Sequence, residues 1–237
     1  MSLVLRDLSG MPEFLAAEEL QRQIWGKDDT ADPADLMMVI QHEGGLVAGA
    51  FEDGTLVGYV FGFPTREAHV QHSHRLGVLP TMRGGGLSLQ LKRYQRDWCL
   101  ARGITLVRWT FDPLRVTNAH LNVARLGVIV RTYHADYYGA MAGINAGLPS
   151  DRLLAEWHLD APAVAALARG ERIHPPEEAR RVVIPADIDA LLSTAPEQAL
   201  AERLRVRAEI SAGLRDGYVI TGFDRATPAY LMARAMA

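Results

Sequence analysis

Two short runs carry residue types suited to chemistry on a charged or nucleophilic partner. One is Arg83-Gly84-Gly85-Gly86-Leu87-Ser88, and the other, a little upstream, is His72-Ser73-His74. Successive glycines let the backbone take positive φ and let a ligand approach with no Cβ in the way. Where a helix begins at such a turn, its first N–H groups lack partners and the positive end of its dipole faces outward. The turn can then hold phosphate oxygens. An imidazole, with an unperturbed pKa near ~6.5, can take a proton at neutral pH.

Spacing decides between the phosphate-binding templates. A P-loop requires Lys then Ser or Thr directly after the glycines, whereas Gly86 is followed by Leu87-Ser88. A dinucleotide fingerprint starting at Gly84 requires a third glycine at position 89, which is Leu89. Neither template fits. A nucleotide-dependent oxidoreductase, with Asp112 holding a ribose, is the reading that Leu89 opposes. Two histidines at this spacing could also ligate zinc, but no third ligand is evident nearby, so no metal is expected.

The elements that must position these residues follow from periodicity. Leu3 to Leu8 alternates as a strand, and Pro12 starts a helix that runs to about Trp25, where Gly26 stops it. A second short helix runs from Asp32-Pro33 to Gly44-Gly45. Leu46–Phe51 and Leu56–Phe63 flank Glu52-Asp53-Gly54-Thr55, a hairpin signal. A strand from about His69 to Leu79 feeds the glycine turn, and its alternation predicts one shared face for Val70, His72, His74, Leu76 and Val78. From Gly86 to Arg102, Leu87, Leu91, Tyr94 and Trp98 recur at helical spacing, with Lys92, Arg93, Arg96 and Asp97 on other faces. Ile104–Phe111 reads as a parallel strand closing a β-α-β unit. A helix from Asn118 to Leu126 ends at Gly127, and strands follow at Val128–Tyr133 and Leu153–Leu159. Beyond Asp160, Ala161–Ala168 and Pro196–Leu214 read as helices, and Gly217–Phe223 with Ala229–Ala233 as a strand pair.

Composition sets the outer bounds. With 49% hydrophobic and 22% charged residues over 237, a packed soluble core is expected. A net charge of -3 argues against a dedicated nucleic-acid surface. No apolar run approaches the ~18 to 20 residues of a membrane span, and the start lacks a signal-peptide pattern, so a cytoplasmic chain without membrane partners is expected. The single cysteine, Cys99, excludes an internal disulfide framework and reads as a buried, inert thiol.

The run Leu76-Gly77-Val78, then Arg83-x-x-Gly86-x-Ser88, resembles the acyl-CoA pyrophosphate loop of the GCN5-related N-acyltransferase (GNAT) superfamily; Ser88 stands where that pattern has Gly or Ala. The resemblance spans about residues 3 to 160. It implies an α/β (α+β) fold with a central mixed, mostly antiparallel sheet flanked by helices. Residues 1–160 would form the acyl-CoA-binding acyltransferase domain, and residues 161–237 a helical and hairpin appendage for packing or homodimerisation. It further implies acetyl-CoA or another acyl-CoA as co-substrate, with the pyrophosphate held by the N–H groups of Arg83, Gly84, Gly85, Gly86, Leu87 and Ser88. The pantetheine arm would lie along Leu76 and Val78 and bond Asn118, a residue that also reads as an N-cap.

His72-x-His74 resembles the paired-histidine strand of arylalkylamine N-acetyltransferases, which implies that these residues take the amine proton through water; filling a polar gap in the sheet is the plain alternative. The family's tyrosine acid would fall at Val123. Of the tyrosines downstream, Tyr133, Tyr137 and Tyr138, the last is the candidate acid, with half-buried packing as its plain alternative. Arg75, Arg115 and Arg152 are candidate partners for an acceptor's carboxylate or ordinary surface charges. Trp109–Leu114, Asn118-Ala119 and Gly147–Leu153 resemble a bacterial subfamily found beside N-acylamino-acid racemases and thought to acylate amino acids, including with succinyl-CoA. An acyl transfer to the amine of a small acceptor, an amino acid, is expected, by direct attack on the thioester. A non-catalytic acyl-CoA-binding sensor or scaffold is the alternative that Val123 and Ser88 leave open.

Overall fold

The structure, a computed structural model, describes residues 2–26, 30–139, 147–173 and 178–234. They fall into two compact units, one ending at Val107 and one beginning at Arg108. In the first, β1 (Leu3–Asp7), β2 (Leu46–Glu52), β3 (Thr55–Pro64) and β4 (Val70–Val78) pair antiparallel in that order. The β2–β3 turn has Asp53 at φ 47 and Gly54 at φ 85, the two positive values that an Asp-Gly hairpin turn requires.

Helices cover both faces of these strands. Helices α1 (Met11–Trp25) and α2 (Ala34–His42) bury Phe14, Ala17, Leu20 and Met37 against Val47, Phe51, Tyr59 and Phe61. Helix α3 (Leu87–Leu100) buries Leu87 and Leu91 against Leu46, Ala48, Ala50, Val57, Val60 and Val78. The odd and even residues of β2 thus serve two separate cores, as strand geometry dictates. No helix of the described residues is long and apolar enough to cross a membrane.

The second unit contains most of β5 (Leu106–Phe111), then α4 (Val116–Ala119), β6 (Ile129–His134), β7 (Arg152–His158), α5 (Pro162–Ala168), β8 (Arg180–Val183), α6 (Ile188–Thr194), α7 (Pro196–Arg215), β9 (Tyr218–Asp224) and β10 (Ala229–Arg234). Its strands run in the order β5-β7-β6-β9-β10-β8. Strands from both sides of residue 160, β6 and β9, pair antiparallel at Val130 and Ile220. The expected class, mostly antiparallel strands flanked by helices, is what forms.

Two local details depart from the sequence reading. The helix expected over Asn118–Leu126 is regular only to Ala119, and His120–Arg125 winds wider, with the Leu126 N–H donating to the Leu121 carbonyl five residues back. The segment before α7 contains β8 and α6, which the reading passed over; α6 is capped by the Asp187 carboxylate, which accepts from the N–H groups of Asp189 and Ala190.

Candidate active site

Strand β4 ends where the Leu79 N–H donates to the Val57 carbonyl, and Pro80–Met82 make one tight turn. Gly84 and Gly86 then take φ of 85 and 82, and α3 begins with no side chain capping it. The Leu89 and Gln90 N–H groups already donate to the Gly86 carbonyl. The five N–H groups from Gly84 to Ser88 donate to no carbonyl among the described residues. A Cβ built on Gly84 or Gly86 would meet nothing within 4 Å. These glycines are therefore required by backbone conformation and leave an open cradle of donors at the positive end of a helix of 14 residues. Arg83 lies at its rim, its Nε 3.4 Å from the Val78 carbonyl, a long contact that leaves most of the guanidinium at the surface.

The histidine strand corrects one expectation. His72 and His74 share a face, but Leu76 and Val78 lie on the other. The cause is a bulge: β4 pairs Ser73 with Gly62 and Arg75 with Phe61, so His74 is the extra residue and the alternation reverses after it. Before the bulge, His72 stacks on Phe63 at 4.9 Å and His74 meets Phe61 edge-on at 5.4 Å. After it, Arg75 lies over Trp25, and a Cβ on Gly77 would strike Ile24 and Trp25. Leu76 and Val78 instead pack with Leu87 and Leu91 of α3.

Asp32 fixes the imidazole of His74. Its Oδ1 is 3.1 Å from His74 Nε2, its Oδ2 is 3.1 Å from Arg75 Nε, and its own backbone is clamped by the buried Gln21 amide at 2.8 and 3.2 Å. A carboxylate can only accept, so Nε2 carries the hydrogen and Nδ1 keeps the lone pair that could take a proton. Arg75 also donates to the Thr30 carbonyl and is thereby occupied in holding this corner. Sequence reasoning took Asp32 only as a helix start; nothing in its local pattern points across to β4.

On the opposite face, Lys92 of α3 is buried, contrary to its expected place on a polar face. Its Nζ donates to Ser73 Oγ at 2.8 Å and to Gln95 Oε1 at 3.0 Å, and Gln95 Nε2 donates to Gln71 Oε1 at 2.7 Å. Burial pulls the Lys92 ammonium down to about 7. Cys99, fully buried beside Gln71, is pushed up to about 12 by the same cause, as the inert reading expected. Among the described residues no cluster of three or more His, Cys, Asp or Glu is arranged to hold a metal ion.

The remaining candidates lie in the second unit. Asn118 is exposed on α4. Tyr138 is exposed, with its hydroxyl 3.2 Å from Thr110 Oγ1 and its ring under the Arg152 guanidinium at 5.1 Å. Tyr133 is committed elsewhere: its hydroxyl donates to Asp151, and burial followed by that bond raises its pKa. Val123 is buried. Asp112 receives two bonds from the buried Arg203, at 2.8 and 2.7 Å, with Arg152 at 4.0 Å. Arg115 pairs with Asp189 at 2.7 Å.

Comparison with known proteins bears on the fold that holds these residues. Residues 14–127 match the model of the acetyltransferase (GNAT) family. No curated protein matches the chain. Among solved structures, the ribosomal-protein-S18-alanine N-acetyltransferase of Escherichia coli superposes with a TM-score of 0.56 at 14% identity, over 68% of this chain and 96% of that one. An N-acetyltransferase of Staphylococcus aureus Mu50 gives 0.57 at 14% identity, over 68% and 100%. A GNAT superfamily phosphinothricin acetyltransferase of Sinorhizobium meliloti, in complex with AcCoA, gives 0.54 at 18% identity, over 66% and 88%. These likenesses establish the fold. The stretch that matches the acetyltransferase (GNAT) family model, residues 14–127, carries the glycine turn and the histidine strand.

Proposed function

We propose that the protein is a cytoplasmic acyl-CoA-dependent N-acyltransferase, taking an acetyl or succinyl group to the amine of a small acceptor, an amino acid, by direct attack on the thioester. The observation that carries this reading is the open turn at Gly84–Ser88, whose uncommitted N–H groups fit a diphosphate and whose glycines leave room for it; the Arg83 N–H, expected to join them, instead donates to the Pro80 carbonyl at 3.3 Å. The co-substrate supplies an activated acyl carbonyl, and the chain's own groups do the rest. His74, oriented through Nε2 by Asp32, or His72 beside it, accepts the amine proton through water. Tyr138 is the hydroxyl we assign to the departing thiolate, because Tyr133 is consumed by Asp151. Cys99, buried and held protonated, supports attack without an acyl-enzyme. Leu76, Val78 and Asn118 are assigned to the pantetheine arm, and residues 161–237 to packing or to pairing of two copies.

The buried Val123, at the position of the family's tyrosine, favours the second reading: a module that binds acyl-CoA without turnover. One experiment separates them. Purified protein incubated with acetyl-CoA or succinyl-CoA and pooled amino acids is expected to yield acylated amino acid by mass spectrometry, reduced at least tenfold in His72→Ala and His74→Ala. Acyl-CoA binding without product across the pool would favour the module.

A further inference from the structure

The bulge that presents His72 and His74 is gripped from both faces of β4. On one side, Asp32 holds His74 and Arg75, the residues at and just after the bulge. On the other, Lys92 Nζ donates at 2.8 Å to Ser73, the residue between the two histidines. Ser73 Oγ in turn lies 3.3 Å from Gln95 Oε1, and Gln95 continues to Gln71, so the hydrogen bonds cover the two residues of β4 that alternate with the histidines. Lys92 lies six residues into the helix whose first turn is the glycine cradle. At ~1.5 Å per residue that is under two turns of a rigid rod. A bulge leaves one residue out of the ladder and weakens register locally, so side-chain bonds at that point decide where the flanking side chains aim.

We propose that Lys92, acting through Ser73, is a positioning residue: it ties the histidine bulge of β4 to the glycine-turn helix α3 and so sets the orientation of His72 and His74. The inference rests on the acyltransferase reading for its purpose, but not for its geometry. A hydrocarbon core would pack the two elements without specifying register, whereas a three-donor ammonium between a strand hydroxyl and a helix amide specifies it. The ammonium donates to Ser73 from β4 and to Gln95 from its own helix, and Cys99 is a titratable group that acts on it. The faces of β2 and β3 packed on α3 contribute Leu46, Ala48, Ala50, Val57 and Val60. Burial lowers the ammonium pKa toward neutrality, so part of the population is neutral at physiological pH, and the amine keeps two N–H donors in either state.

The test reads the imidazoles themselves. In carbon-13 correlation spectra, the His72 and His74 ring signals are assigned by their loss in His72→Ala and His74→Ala, then titrated in wild type, Lys92→Met and Ser73→Ala. Both variants are expected to shift or broaden the two signals and to move their titration midpoints, leaving the other histidines and acetyl-CoA affinity within about twofold. Lys92→Met with Ser73→Ala should do no more than either alone. Wild-type midpoints for His72 and His74 in either folded variant, or additive changes in the double variant, would overturn the proposal. Because these spectra need no turnover, failure of the acyltransferase reading leaves this test intact. If turnover is found, kcat should fall at least tenfold in Lys92→Met with KM for acyl-CoA unchanged.

Discussion

The two units bury cations in different ways. In the second, the buried Arg203 takes both oxygens of Asp112 and the half-buried Arg207 both of Asp151, which Tyr133 also bonds, while the buried Arg152 donates to the Asp151 backbone carbonyl with Asp112 4.0 Å away. In the first, Lys92 is a buried amine that donates to the neutral oxygens of Ser73 and Gln95. A guanidinium stays charged at any accessible pH and must be matched, whereas an amine can give up its proton when burial makes charge costly. The second unit's buried polar groups are therefore structural fasteners. The first unit's sit between the histidine strand and a helix whose opening N–H groups remain uncommitted, which is where chemistry has material to use.

Removing a fastener should have the largest effect on stability. Asp112→Ala leaves Arg203 charged, 2% exposed and unmatched, and should cost about 3 to 5 kcal/mol by denaturant unfolding. A loss under ~1 kcal/mol would place that pair with ordinary surface salt bridges and dissolve the contrast.

A smaller, pH-dependent effect should mark Lys92. Burial pulls its pKa down to about 7 in the folded chain, against the ordinary lysine value of 10.5 in the unfolded one. Below pH 7 both states are protonated and the cost of burying charge is felt in full. Between these values the unfolded chain holds a proton that the folded one lacks, so stability rises with pH across the window. The slope should be about 1.4 kcal/mol per pH unit at most. The difference between wild type and Lys92→Met isolates it; a flat difference from pH 7 to 10 would mean the amine stays charged inside.

Much of the architecture was legible from periodicity and punctuation. Asp53-Gly54 gave the hairpin, Pro12 and Gly26 bracketed the first helix, and Gly86 and Gly103 bracketed the helix of the cradle. The cradle itself was readable because its requirement is backbone conformation, which glycine spells out. The bulge in β4 was not, because it arises from register against Gly62 and Phe61 on a neighbouring strand, while the strand's own alternation looks unbroken. Lys92 reads as a solvated residue for a related reason: only the polar pair Gln71 and Ser73 across the interface makes an inward lysine tolerable. Asp32 and Arg203 are likewise decided by partners 42 and 91 residues away.

On the proposed function, the N–H groups from Gly84 to Ser88 hold the diphosphate of coenzyme A. Calorimetric titration of acetyl-CoA into wild type, Gly86→Ala and Gly86→Glu tests it directly, because all three residues occupy space open to solvent and the first substitution reports the strain of φ 82 alone. The account predicts binding by wild type, a modest loss in Gly86→Ala, and a further loss of about a hundredfold, about 2.8 kcal/mol, in Gly86→Glu from charge repulsion and blocking of the cradle. Equal affinity in Gly86→Ala and Gly86→Glu would contradict it.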